Sequence, residues 1–412
     1  DWFDFFGQRN YGGVSYVFQE SGGTMNVIYT LNEYYNLYSD TNVYWIDWGG
    51  SNGLRMQDVS ASSQVNYPDG WFYSSLHFEK DLVYSMGEKT NLFDYRNFNN
   101  ERIQGEGWYW KELQRGNSVS DTSTIKSLYT GGAPCKIKLF AYPNSYTDTI
   151  YNEHYLIFRS NAANVDTFKT DNYNRIDTTI AFPVSALNAG AVNQFQFIYT
   201  NPGLYYGRMY FDMFNIYYPR KFEFDNSRLY FESSYQDTVM CIYRVKGYTS
   251  SKPLLIYDVK NSQRITSYSQ NQDTLIFSAK KNANIYVIND NIQTKPFRMK
   301  VKRVPDFLSQ TNGCDYLIIY NNLFASQAEQ LRQHRASFNN FRAYKAEVED
   351  LYDVFNYGIE NPVALKNFTK YVYTYWQSPK FQYLCLFGRG SLDPKQNAAP
   401  SPYYINYVPV YG

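Results

Sequence analysis

The sequence predicts a multidomain protein: an N-terminal all-β, sandwich-like region followed by the first βαβαβ part of a parallel α/β domain. Three observations carry this. At 412 residues the chain is too long for one ordinary hydrophobic core. From residue 1 to about 305 the apolar residues recur with a period of two, the signature of half-buried strands. After residue 310 continuous apolar runs alternate with helical stripes, as in parallel sheets covered by helices.

In the first 305 residues Lys136-Ile137-Lys138-Leu139 and Gln194-Phe195-Gln196-Phe197 alternate cleanly. Turn clusters such as Thr130-Gly131-Gly132-Ala133-Pro134 and Asn201-Pro202-Gly203 separate the runs, which favours sandwiches over βαβ units. Breaks near 131, 222 and 305 divide the chain into a β-rich domain (1–130), a β-sandwich (131–222), a small β domain (223–305) and the α/β part (306–412). In the last, Asp315 to Tyr320 reads as a strand buried on both faces, and Phe324 to Phe338 as a helix with Phe324, Ala328, Leu331 and Arg335 on one face. Arg342 to Val348 is a second strand. Pro362 opens a second helix, with Leu365, Phe368, Val372 and Tyr375 as its stripe up to Trp376. Phe381 to Phe387 is a third buried strand, ending in Gly388-Arg389-Gly390. Active sites in such sheets lie beyond the carboxyl ends of the strands.

Composition narrows the partners. The 39 basic and 38 acidic residues leave a net charge of +1, which argues against nucleic acid. With 44 Tyr, 29 Phe and 7 Trp, the chain suits strands that are dry at one end of the ring and wet at the other. Such rings also offer a carbohydrate or partner surface, with strand packing as the plainer reading. No run approaches the roughly 18 apolar residues of a membrane span. The chain starts at Asp1 without Met or a leader, which fits a removed signal peptide or a fragment.

Cys135, Cys241, Cys314 and Cys385 form no CxxC pair, and each sits in apolar or β-type sequence, as small buried hydrophobes do. As a strand, Leu76 to Asp81 puts His77, Glu79 and Asp81 on one face, either a metal corner or, more simply, a solvated face. His154, beside Glu153, reads the same way, and His334 lies on the exposed side of the first helix. Gly388-Arg389-Gly390 is too short for a phosphate loop and reads as a tight strand-end turn.

Several segments together resemble the gingipain family of cysteine peptidases and its PorU-type members, the surface sortases of the type IX secretion system. The specific ones are Glu349-Asp350-Leu351-Tyr352-Asp353-Val354-Phe355-Asn356-Tyr357-Gly358, an acidic turn in the family; Asn361 to Phe368; and Tyr383 to Gly388. Weaker ones lie upstream: Tyr38 to Trp45, Gly107 to Trp110, Tyr210 to Phe214 with Tyr218 to Lys221, and Tyr257 to Val259. The resemblance implies a caspase-like α/β domain that cleaves peptide bonds through an acyl-thioester. It places the catalytic His and Cys on strand ends after the point where this sequence stops, so no catalytic, cofactor-binding or metal residue is assigned within residues 1–412. Where the family usually has Gly-Asp-Gly, this chain has Gly388-Arg389-Gly390, while Asp393 keeps the second acidic position.

The resemblance further implies export to the cell surface, protein substrates, and an outer-membrane β-barrel or other secretion components as partners. No cofactor is required. Calcium is compatible because related peptidases bind it, although no loop has the oxygen spacing of a known calcium motif. Asp148-Thr149, Asp177-Thr178, Asp237-Thr238 and Asp273-Thr274 are similar to O-glycosylation acceptors of exported proteins in the Bacteroidetes phylum. The competing expectations are a non-catalytic surface or secretion-machinery relative, and a secreted adhesin or cargo protein.

Overall fold

The structure, a computed structural model, describes residues 14–21, 24–31, 36, 38–46, 50, 53–84, 108–143, 145, 152–171, 174–202, 207–225, 228–249, 254–289, 296–310, 312–391, 393–398 and 400–410. The segments Gly107, Asp148-Thr149 and Gly203 lie outside them. The chain divides into two compact units, residues 1–49, 84–108 and 298–412 forming one and residues 50–83 and 109–297 the other.

In chain order the strands are β1 (Val14–Ser21), β2 (Thr24–Leu31), β3 (Gln57–Val59), β4 (Trp71–Glu79), β5 (Val83–Tyr84), β6 (Trp108–Tyr109), β7 (Lys111–Gln114) and β8 (Ser118–Thr124). Then follow β9 (Cys135–Pro143), β10 (His154–Ser160), β11 (Ala163–Thr170), β12 (Ile176–Phe182), β13 (Val192–Thr200) and β14 (Arg208–Lys221). Next come β15 (Arg228–Glu232), β16 (Met240–Val245), β17 (Leu254–Asp258), β18 (Gln263–Ile265), β19 (Tyr268–Asn271), β20 (Thr274–Lys280) and β21 (Asn284–Asn289). The α/β part holds β22 (Tyr316–Tyr320), α1 (Ala325–Asn339), β23 (Ala343–Glu347), α2 (Val348–Phe355), α3 (Pro362–Tyr375) and β24 (Tyr383–Phe387).

The β unit holds two sandwiches. The first packs sheet β11-β10-β13-β8 against sheet β12-β9-β14-β4, to which β7 adds along β14. Alternation makes its core: in β13 Phe195, Phe197 and Tyr199 are buried, while Gln194 faces water. Leu156, Phe158, Phe211 and Phe214 complete a largely aromatic interior. The break expected near residue 131 falls inside this sandwich, because β4, β7 and β8 precede it and belong to the same two sheets as β9 to β14. The second sandwich pairs sheet β15-β21-β17-β18-β3 with sheet β16-β20-β19 around Phe231, Tyr243, Ile256, Phe277 and Ile285. Thr178 and Thr238, two of the acceptor-like threonines, are exposed, and Thr274 is half-buried.

The other unit contains the β1–β2 hairpin and the α/β part. Its sheet has the order β23-β22-β24, all parallel. Connections from β22 to β23 and from β23 to β24 run in opposite directions, so right-handed crossovers place α1 on one face and α2 and α3 on the other. Leu317 and Ile319 share a core with Leu351, Leu365, Phe368 and Trp376, while Ile318 is buried on the opposite face. Asn361 caps α3 by accepting from the Val363 N–H at 2.9 Å, and Pro362 takes the first helical position.

Three expectations change here. The acidic segment after β23 is a helix, α2, that begins at Val348 without a linking loop. Tyr375 is exposed instead of closing the α3 stripe. β24, expected as a buried strand, is an edge strand: Tyr383 and Leu384 are 48% and 45% exposed.

Candidate functional site at the parallel strand ends

In a parallel sheet of order 2-1-3 the connections diverge at the middle strand and its later neighbour, and their carboxyl ends leave a crevice. Here that point lies between β22 and β24. Asn321 follows β22; its carboxamide accepts from the Leu323 N–H at 3.1 Å and donates from Nδ2 to the Tyr407 carbonyl at 3.1 Å. Gly388-Arg389-Gly390 follows β24, and the Arg389 carbonyl accepts from the N–H groups of Tyr407 and Val408 at 2.9 and 3.1 Å. Residues 407–410 therefore run along the crevice.

That close approach explains the glycines. A Cβ on Gly388, whose φ is +153°, would meet Val408 Cγ2 at 2.9 Å, and one on Gly390 would meet Val410 Cγ2 at 2.8 Å. The glycines make room for chain, and the turn reading holds. Arg389, at the charge reversal, donates to the Pro402 carbonyl and stands 5.8 Å over the Tyr407 ring. Asp393 is buried and accepts from the N–H groups of Asn397 and Ala398 at 2.8 and 3.0 Å, so it organises a turn.

Acidic groups surround the end of β23. Burial, then Asp350 and Glu349, push the Glu347 carboxyl above its usual range. Burial works against the Lys302 ammonium, but Asp353 and Asp350, both in contact with it, outweigh that and raise its pKa. Burial also raises Glu360, although Asn406 Nδ2 donates to it at 2.9 Å. Residues 38–46 pack on this part too: Trp45 Nε1 donates to the Tyr357 carbonyl at 2.9 Å, and Lys395 pairs with Asp40 at 2.8 Å.

The thiols and imidazoles stand elsewhere. All four cysteines are free. Burial pushes the Cys135 thiol up to about 12 and the Cys314 thiol up to about 11, so both are protonated at neutral pH and poor nucleophiles. Cys314 precedes β22 at its amino end, and Cys385 lies in mid-β24. His334 is exposed on α1, stacked on Phe338. Among the described residues no thiol–imidazole pair stands at the strand ends.

In the β unit, His77 is not on a solvated face: Nδ1 lies 2.7 Å from Asn215 Oδ1, and Nε2 lies 2.7 Å from Glu79 Oε2. Glu153 and His154 are fully buried, contrary to the solvated reading. His154 Nδ1 meets the Tyr199 hydroxyl at 2.7 Å and Nε2 the Ser145 carbonyl at 2.8 Å. The signal was available, since the period of β10 puts His154 on the same face as Leu156 and Phe158.

Residues 309–412 match the family model for peptidase family C25. This α/β part is therefore gingipain-like, as its motifs imply. Among solved structures, the chain is similar to dimeric latent PorU from Porphyromonas gingivalis, with 14% identity and a TM-score of 0.64 over 95% of this chain and 36% of that one. The fold is PorU-like, with N-terminal β domains preceding an α/β part, and the chain spans little more than a third of that protein's length. The CBM36-1 domain of a multidomain xylanase, from the hindgut metagenome of Trinervitermes trinervoides, aligns with 35% of this chain and 95% of its own, at 11% identity and a TM-score of 0.21. No curated protein matches.

Proposed function

We propose that this chain is the leading portion of a PorU-type, cell-surface cysteine peptidase or sortase of the type IX secretion system. Its β domains position a peptidase domain of which residues 306–412 are the first subdomain. The observation that carries this reading is the open edge of β24. Tyr383-Leu384-Cys385-Leu386-Phe387 has the apolar composition of a central strand yet no neighbour on its outer side among the described residues. A further strand there would cover Tyr383 and Leu384 and bring more strand ends to the crevice, where the family's His and Cys are expected. Protein substrates, export to the cell surface and association with an outer-membrane β-barrel follow from the same reading.

The test is to read the gene beyond residue 412 and to treat its full-length product with a thiol-directed peptidyl chloromethyl ketone. His and Cys at two following strand ends, with labelling of that Cys, support the proposal; their absence sinks it. Arg389 favours one second reading, a non-catalytic surface component that keeps the fold for interaction. Its side chain is spent on the Pro402 carbonyl and the Tyr407 ring, so it stabilises the turn without presenting an acid to the crevice. A full-length product with an intact fold and no labelled thiol selects that reading.

A further inference from the structure

β24 is the outermost strand of its sheet among the described residues, with Tyr383 and Leu384 half exposed at its amino end. Beside that end, away from the crevice, lies a cavity of about 560 Å³. Three rings line it: Phe341 stacks on Tyr383 with centroids 5.4 Å apart and on Tyr316 at 6.3 Å. α1 adds Arg335 and Asn339. The Arg335 guanidinium lies 5.1 Å over the Tyr316 ring, and its Nη1 donates to Asn339 Oδ1 at 3.2 Å. Its Nε is buried without a hydrogen-bond partner. The acids on the same elements are engaged elsewhere. Glu329 of α1 holds Arg332 and Lys345 at 2.6 and 3.0 Å, and Asp315, before β22, accepts from the Arg342 N–H at 2.8 Å. Burial, then Cys385, push the Tyr316 hydroxyl above its usual range, so it stays neutral near pH 7 and adds no counter-charge.

A buried guanidinium donor without an acceptor is costly, and a carboxylate is the acceptor that its planar fork fits. An open strand edge takes an extended segment through main-chain hydrogen bonds, while neighbouring pockets choose its side chains. We propose that this cavity seats one Asp or Glu carboxylate of the strand that completes the sheet beyond β24, the acid facing α1 level with Tyr383 and pairing with Arg335. This rests on the reading that a further strand of the full-length protein runs along β24, and it adds what that strand carries. An apolar or basic side chain at that place would leave Nε unmet. The pair would also fix register, since a slip of one residue turns the acid to the α2 and α3 face, away from Arg335.

The test titrates the 412-residue chain with a fluorescein-labelled peptide, acetyl-Thr-Val-Glu-Val-Thr-Val-Thr-amide, and with the same peptide carrying Gln for Glu, following anisotropy. The Glu peptide is expected to bind about tenfold more tightly. Arg335→Gln should erase that difference and leave the affinity for the Gln peptide unchanged. Arg335→Lys, which keeps the charge without the fork, should retain only part of the difference and serves if the first variant does not fold. Equal affinities for the two peptides, binding of neither, or a preference that survives Arg335→Gln would overturn the proposal. So would a gene whose first strand after residue 412 lacks an Asp or Glu at that position. No His or Cys takes part in the peptide measurement, so it can fail while the peptidase reading stands, and the reverse.

Discussion

At the scale of single residues, the strand-end turn depends on what glycine lacks. Gly388→Ala is expected to cost about 1–3 kcal/mol, since its positive φ and the contact with Val408 both resist a Cβ. The drop is read from chemical denaturation. Glu360 gives a pH signature. Its folded pKa is raised, so the folded chain keeps this proton longer than the unfolded one. The associated stability is complete below the unfolded value of about 4.3 and is lost as pH rises through the folded value. Glu360→Gln should therefore match the wild type at low pH and exceed it in denaturation midpoint near neutrality. Identical midpoints across pH 4 to 8 would refute the assignment. The thiols offer a third check. Half-buried Cys385 should react with an alkylating reagent first, while Cys135 and Cys314 should react only on unfolding.

At the scale of elements, the β24 edge joins an apolar side to unpaired backbone groups, a combination that invites another strand. Leu384→Lys should reduce concentration-dependent association of this chain in sedimentation velocity; unchanged association would mean that the edge is not adhesive. This edge is also where sequence and structure part company. The apolar run after Phe381 correctly announces a strand, but a run cannot say whether neighbours exist on both sides. Elsewhere the α/β order is legible, because β22 is apolar throughout and Leu365, Phe368 and Val372 keep a helical period. α2 was missed because its acids resemble a solvated turn, although Val348, Leu351 and Tyr352 face the core. The crevice was half legible: Gly388 and Gly390 marked a tight turn, but nothing local pointed to residues 407–410 as the segment they accommodate.

At the scale of the whole molecule, the β unit is larger than its sequence punctuation suggests. β4 contributes to both sandwiches, and the residue after β14 enters the second: Phe78 and Phe214 lie in the first core, Phe72 and Phe222 in the second. Gly131 and Gly132 mark a turn inside one sandwich, and a turn looks the same whether or not a domain ends there. Sharing β4 ties the two cores together. Phe214→Ala, expected to cost about 3–5 kcal/mol, should lower the unfolding of both sandwiches together in calorimetry. A second sandwich that melts unchanged would show the cores to be independent. β14 also has a mechanical meaning. Its 14 residues span roughly 45 Å, and ladders to β4, β7 and β9 grip it along that length. Tension along this axis would load those ladders in shear, many hydrogen bonds at once, instead of peeling them singly. β14 is therefore the tie rod through which a pull at one end of the first sandwich is borne to the other.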